Sequence, residues 1–353
     1  MKRNPIRAAL SLMCLLISLA LMPLVGANGD PQKDPSAASS STKKKHKSDE
    51  KRKIVKTGSE AAQEGHPILW EEPTDIESRD LFYGPGGQEG APDPAGKITF
   101  VERSTQGTSK KLYVEDDQGH KWTVKFGAEA KSETAASRIV WAVGYHVDQD
   151  YFVKQAHIEG AGKDADAQDV RFERRNDGYK EVGLWTWEDN PFLGTRELQG
   201  LKVLMVVLNN WDLKTDNNKI LRPDKKSGGD RDERIYYVGD LCATFGKTGS
   251  LLRKVAPFGD PPAGSKGKSG EYAHQDFIEG THHGEVIFHY KGKGRSTLRG
   301  ITVENAQWMG NLLGRLSEKQ LSDAFRAGGF DDSEVATYVR AIGERIRELQ
   351  NLK

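Results

Sequence analysis

The sequence is short of cysteine, of hydrophobic residues and of net charge, and each shortage excludes something. There are 2 cysteines in 353 residues, Cys14 and Cys242. Cys14 lies in an N-terminal apolar stretch, so a chain processed after that stretch keeps one thiol and can form no internal disulfide. Hydrophobic residues make up only 36%, so part of the chain is expected to lie outside any core. Lys+Arg number 52 against 51 Asp+Glu, which gives no overall field to gather nucleic acid. No apolar run reaches the about 20 residues of a membrane span. There is no repeat at solenoid spacing, no G-x-S-x-G, no H-E-x-x-H and no cysteine pair suited to zinc.

The N-terminus carries the pattern of a secretory signal peptide. Lys2, Arg3 and Arg7 form a basic region, Ala8 to Met22 an apolar one, and Val25 and Ala27 supply small residues for a cut after Ala27. The expectation is a secreted or periplasmic protein. Removing those three basic residues leaves 49 against 51, a net charge of −2. Residues 28–66 are rich in Ser, Ala, Lys, Asp, Gln and Pro and read as a disordered linker. Its basic run at 43–53, "KKKHKSDEKRK", is either a solvated spacer or an attachment to an anionic surface.

Residues 67–96 hold apolar anchors between turn signals and read as an extended strap. From Lys97 come three short runs rich in β-branched and aromatic residues, "KITFVERS", "KKLYVEDD" and "KWTVKFG", which predict an antiparallel meander. A helix is expected within "EAKSETAASRIVWAVGYHV" (129–147), with Ala136, Ile139, Val140 and Val143 at helical spacing and Gly144 as its stop, then a strand over 150–160. "VRFERR" and "YKEVGLWTWED" suggest a hairpin, with Trp185 and Trp187 on one face as candidates for a binding surface. Arg196 to Leu208 predicts a buried helix, and the C-terminus is helical, with Asp331 or Asp332 as an N-cap. The reading is therefore an α+β protein in two lobes: a β-rich lobe with one helix over 97–160, and a mainly helical lobe over 161–353.

Four features carry chemistry. On an alternating strand Lys125 shares a face with Thr123, opposite Val124 and Phe126. Glu133 precedes Ala136 by three and Val140 by seven, which places a carboxylate on the apolar face of the next helix. Such a carboxylate needs a cation, and Lys125 can supply it. The stretch "LNNWDLKTDNNKIL" (208–221) follows the buried helix and offers Asp212 to accept a hydroxyl proton, Lys214 to neutralise a phosphoryl group and Asn217 to ligate a metal. Asp240, after the run "RIYYVGD", is placed to be a second ligand for a hard cation. Adjacent His282 and His283 make poor co-ligands, since neighbours on a strand face opposite ways.

Asp212-Leu-Lys-Thr-Asp-Asn217 resembles the catalytic loop D-L-K-x-x-N of protein kinases. The surroundings are most similar to outlying members of that fold, the HipA-type and phosphoinositide-kinase-type proteins. The resemblance spans about residues 97 to 250, at the level of motifs. It implies a two-lobed kinase-like fold that uses ATP and Mg²⁺. Lys125 would contact the nucleotide phosphates and Glu133 would hold Lys125. Asp212 would be the catalytic acid–base group, with Asn217 and Asp240 on the metal. Three departures stand out: Asn210-Trp211 replaces the usual His-Arg, Leu241-Cys242 the usual Phe-Gly, and the glycine-rich turn shrinks to "STQGTS" (104–109). Three functions stay open at this point. They are a phosphotransferase acting on a protein, lipid or glycan hydroxyl, a catalytically inactive nucleotide- or partner-binding relative, and an unrelated cell-envelope binding module.

Overall fold

The computed structural model describes residues 56–104, 110–175, 178–213, 218–225, 227–249 and 263–353. All of them fall in the compact unit Arg52–Lys353. The expected signal peptide, most of the expected linker, Lys214, Asn217 and most of the "STQGTS" turn lie outside the described residues. No helix among the described residues is long and apolar enough to cross a membrane.

The expected linker does not run to residue 66. Thr57 caps helix α1 (Gly58–Ala62) through a reciprocal capping box with Glu60, which satisfies two backbone donors that would otherwise be open. Strand β1 (His66–Ile68) follows. It adds in parallel to β9 (Glu233–Tyr236), and Arg234 donates to the Glu64 carbonyl at 2.7 Å. The local cap and these distant bonds order a segment whose composition alone suggests disorder. The strap then runs along the molecule on polar anchors. The Trp70 indole donates to the Val143 carbonyl (2.7 Å) and Arg79 to that of Trp141 (2.6 Å). The Gln320 amide reaches the carbonyl of Ile76 (2.8 Å).

The first lobe is a closed barrel of β2 (Ile98–Arg103), β3 (Lys111–Asp116), β4 (Lys121–Phe126), β5 (Asp150–Glu159) and β6 (Asp166–Arg174), in the order β2-β3-β4-β6-β5. Two expectations change here. The lobe does not end at residue 160, because β6 pairs with both β4 and β5. It is also not wholly antiparallel, because β2 and β5 close the barrel in parallel at Ile98↔Ile158 and Thr99↔Glu159. The physical reason is edge pairing: β6 bonds on both sides within the barrel, so it cannot form the expected hairpin with β7 (Tyr179–Trp185). Leu112, Val114, Trp122, Val124, Val170 and Phe172 fill the inside of the barrel, and the alternate residues of β4 and β6 face out. Helix α2 (Glu129–Ala142) packs on the barrel wall.

In the second lobe β7 pairs with β8 (Asn218–Pro223), which pairs with β9, giving a sheet β1-β9-β8-β7. Trp185 and Trp187 are buried in it and meet edge to face at 5.4 Å. They are core residues rather than a binding surface. Helix α3 (Arg196–Val207) forms the centre and is buried by α5 (Val303–Leu313) and α7 (Asp332–Gln350). Gly200 is needed there, since a Cβ would run into the Trp308 ring. The lobe is completed by α4 (Ser269–Ala273), the hairpin β10 (Ile278–His282) and β11 (Glu285–Phe288), and α6 (Glu318–Ala327). Asp331 caps α7 with a capping box to Glu334.

Candidate active site

The site begins with the register of three barrel strands. Lys111, Lys125 and Arg171 lie side by side on β3, β4 and β6. In the next row Thr123 pairs with Glu173, which pairs with Asp150. Pleating turns both rows outward, toward α2. Lys125 Nζ lies 3.3 Å from Glu133. Arg171, which the sequence reading missed, reaches Glu133 at 2.6 Å, Asp150 at 3.1 Å and Glu173 at 2.5 Å. Arg171 is only 1% exposed. Its tripled carboxylate neighbourhood outweighs the burial that would weaken its charge, and its proton is held more firmly than usual.

Burial raises the pKa of Glu133 more than Arg171 and Lys125 lower it. Asp150 is likewise raised, first by burial. Glu173 goes the other way: burial pushes it up, but Arg171 and three lysines pull it down to about 2. Since its ordinary value is 4.5, the unfolded chain binds the proton first as pH falls. The contribution of Glu173 to stability is therefore complete above about pH 4.5 and is lost toward pH 2. Glu173→Gln should flatten the fall of the urea midpoint across that window, and a variant profile parallel to wild type would contradict the pairing.

Asp240 follows β9 and adopts the left-handed conformation, φ 51 and ψ 57. Asp tolerates this region better than most residues, at a cost of about 1 kcal/mol or more. The turn is fixed by the Gly239 amide, which donates to the Asn218 side-chain oxygen at 3.2 Å. Burial raises the Asp240 pKa, but Lys125, a hydrogen bond with Cys242, Arg171 and Lys266 lower it further, so the carboxyl sits below its usual range. Ligand atoms of Glu133, Asp240 and Cys242 lie within 4.8 Å of one another. Burial, then Glu133 and Asp240, push the Cys242 thiol up. A thiol is a soft donor, poorly matched to a hard cation such as Mg²⁺. Lys266 closes this side, at 2.5 Å from Glu129 and 3.5 Å from the Cys242 sulfur.

The Asp212 loop leaves α3 through a second left-handed residue, Asn209 (φ 51). Arg345 of α7 is buried beneath it and donates to the Val207 carbonyl (2.8 Å) and the Asn209 side chain (2.9 Å). A cation at the carbonyl end of α3 is favourable and fills bonds the helix leaves open. Asn210 accepts from the Asp212 amide at 3.1 Å, and the Trp211 amide donates to the Ala243 carbonyl at 3.1 Å. That bond ties the Asp212 loop to the residues just after Asp240. Lys293, from a segment far along the chain, pairs alongside Asp212 and brings Nζ to 3.7 Å from its carboxylate. The approach depends on Gly292 and Gly294, where side chains would strike Trp211 and Leu213. "YKGKG" (290–294) was the available sequence signal, but nothing local says what it approaches.

Between the outer face of the barrel and the β7–β8 sheet lies a cavity of about 450 Å³, lined in part by Thr123, Glu173, Arg174, Tyr179, Lys219 and Leu221. It adjoins the ion cluster through Thr123 and Glu173. Along the chain come a strand lysine, a helix glutamate, a buried helix into the Asp212 loop, two further strands, then Asp240. The chain is an α+β protein of two lobes, a β barrel with one packed helix and a mainly helical lobe. Of the six residues singled out by sequence, the structure brings Lys125, Glu133 and Asp240 together, and links Asp212 to them through Ala243. Lys214 and Asn217 lie outside the described residues. The histidines at 282 and 283 are in ring contact at 4.0 Å and form no metal cluster among the described residues.

No protein-family model matches the sequence, and no curated protein matches it. Among solved structures, the Helicobacter pylori proinflammatory kinase CtkA is similar at 11% identity and a TM-score of 0.43, over 72% of this chain and 95% of that chain. So distant a likeness bears no weight for function, which rests on the chain's own residues.

Proposed function

We propose that this chain binds a nucleoside triphosphate with Mg²⁺ in the cleft and transfers the terminal phosphoryl group to a hydroxyl of a protein, lipid or glycan. The observation that carries the reading is the meeting of three groups: Lys125 lies 3.3 Å from Glu133, and ligand atoms of Glu133 and Asp240 lie within 4.8 Å of each other. Asp240 is the residue best suited to hold a Mg²⁺ ion there, since its carboxyl is held below its usual range and offers a hard oxygen. Bound Mg²⁺ would neutralise charge on the phosphate oxygens.

The rest is done by side chains. Lys125, held by Glu133, would meet the phosphates. Asp212 would orient the acceptor hydroxyl and take its proton as the new P–O bond forms and the bond to the nucleoside diphosphate breaks. Lys293 would offset the charge that Asp212 faces. One observation favours a second reading, a nucleotide-binding protein without transfer. Glu133 lies closer to Arg171 (2.6 Å) than to Lys125 (3.3 Å), so its first duty is to the barrel.

The test is thermal. ATP with Mg²⁺ at one hundred times its Kd should stabilise the chain by about 2.7 kcal/mol. Asp240→Ala should remove the part of the shift that depends on Mg²⁺. No shift at millimolar ATP would defeat both readings. A shift without phosphate transfer to any acceptor would select the second.

A further inference from the structure

A second cavity, of about 330 Å³, lies between β11 and the turn that follows Lys293. Val286, Phe288 and Leu298, all buried, give it an apolar lining, and Ile287 beside them is 41% exposed. Arg295 and Arg299 line the same groove, and both are exposed. Neither side chain has an ion pair or a hydrogen bond among the described residues. The one carboxylate in the lining, Glu285, accepts from the Gly300 amide at 3.2 Å. From Val286 to Val303 the chain carries Lys291, Lys293, Arg295 and Arg299 and no acid.

The strand at this groove has an unfinished edge. β11 pairs with β10 on one side. On the other, the Val286 amide donates to the Ile301 carbonyl (2.9 Å) and Glu285 bridges Thr302. Past that point Ile287 and Phe288 have no second strand beside them among the described residues. Such an edge can take an extended peptide.

The groove also adjoins the Asp212 loop. Tyr290 lines it, and its hydroxyl lies within hydrogen-bond distance of the Asn210 and Lys293 carbonyls, at 2.8 and 2.7 Å. Gly294, next to Arg295, sits against Leu213: a Cβ there would fall 2.5 Å from the Leu213 carbonyl oxygen. Arg295 is therefore two residues along from Lys293, which pairs beside Asp212.

We propose that this groove holds an acidic, extended segment of a protein acceptor, whose hydroxyl a few residues along meets Asp212. The proposal rests on the phosphoryl-transfer reading and narrows its acceptor to a protein. Carboxylates of the segment would meet Arg295 and Arg299, and an apolar side chain would lie against Val286 and Leu298. A neutral glycan would leave both arginines unmatched. A flat anionic bilayer would not fill a concave apolar site.

Fluorescence anisotropy of the full chain tests this with a labelled peptide of glutamates around a valine and a serine, and with its counterpart carrying glutamine for every glutamate. The acidic peptide should bind about three- to tenfold more tightly, the size of two exposed charge pairs, and the difference should shrink as salt is added. With ATP and Mg²⁺ the same preference should appear in KM for transfer to the serine. Arg295→Gln combined with Arg299→Gln should erase the preference. Both arginines are exposed, so the unfolding midpoint of the unliganded variant should stay where it was. Equal affinity for the two peptides would overturn the proposal, as would a preference that survives the double substitution. Arginine-dependent binding to phosphatidylglycerol vesicles, with none to the peptide, would also overturn it. Arginine-dependent peptide binding without phosphate transfer would support the groove and defeat the transfer reading alone.

Discussion

Arg171→Met should lower the stability of the chain by about 3–5 kcal/mol, the usual cost of removing one partner from a buried ion cluster. The guanidinium is shared among Glu133, Asp150 and Glu173. Its loss leaves three carboxylates in a buried wall, with Lys125 the remaining cation paired with Glu133. The pH dependence gives the mechanism away. Glu133 and Asp150 already have raised pKa values from burial, and without Arg171 they rise further. Below those values both are neutral, so the penalty should shrink as pH falls. Urea denaturation at two pH values measures this. A loss below about 1 kcal/mol at pH 7 would mean that the cluster is solvated rather than buried.

Asp212→Asn should slow phosphate transfer about 10²- to 10⁴-fold, the range for removing a general base, while ATP with Mg²⁺ still raises the unfolding midpoint. The split between chemistry and binding follows from the site's construction. Asp240 and Lys125 belong to the ion cluster on the barrel side, whereas Asp212 is held by its own loop, by the Asn210 side chain and by Lys293. Transfer that survives Asp212→Asn undiminished would remove Asp212 from the mechanism. Loss of nucleotide binding in the same variant would make its role structural.

Much of this site was legible in the sequence where a short-range period carried the information. Alternation along β4 placed Lys125 on the outer face with Thr123. Helical spacing placed Glu133 on the buried stripe of α2. Two facing residues of opposite charge on consecutive elements then had one natural partner each, and they lie 3.3 Å apart. The buried helix α3 was equally plain from its apolar run. The capping box at Thr57 and Glu60 was also written locally, yet a compositional reading of the surrounding linker concealed it.

What could not be read was set by contacts far apart along the chain. Arg171 reaches the Lys125–Glu133 pair because β6 joins β4 across 44 to 52 residues in register, and no local pattern encodes that pairing. Lys293 and its glycines meet Asp212 across about 80 residues. Arg345 caps α3 from the C-terminal helix. The groove beside Arg295 and Arg299 exists only once β11 and the turn after Lys293 lie side by side. The sequence alone determined which residues face the core and which carry charge, because strand and helix periods fix side-chain direction over a few residues. Only the tertiary structure decided which charges meet, since barrel closure and strap placement depend on strand pairing and packing summed over the whole chain.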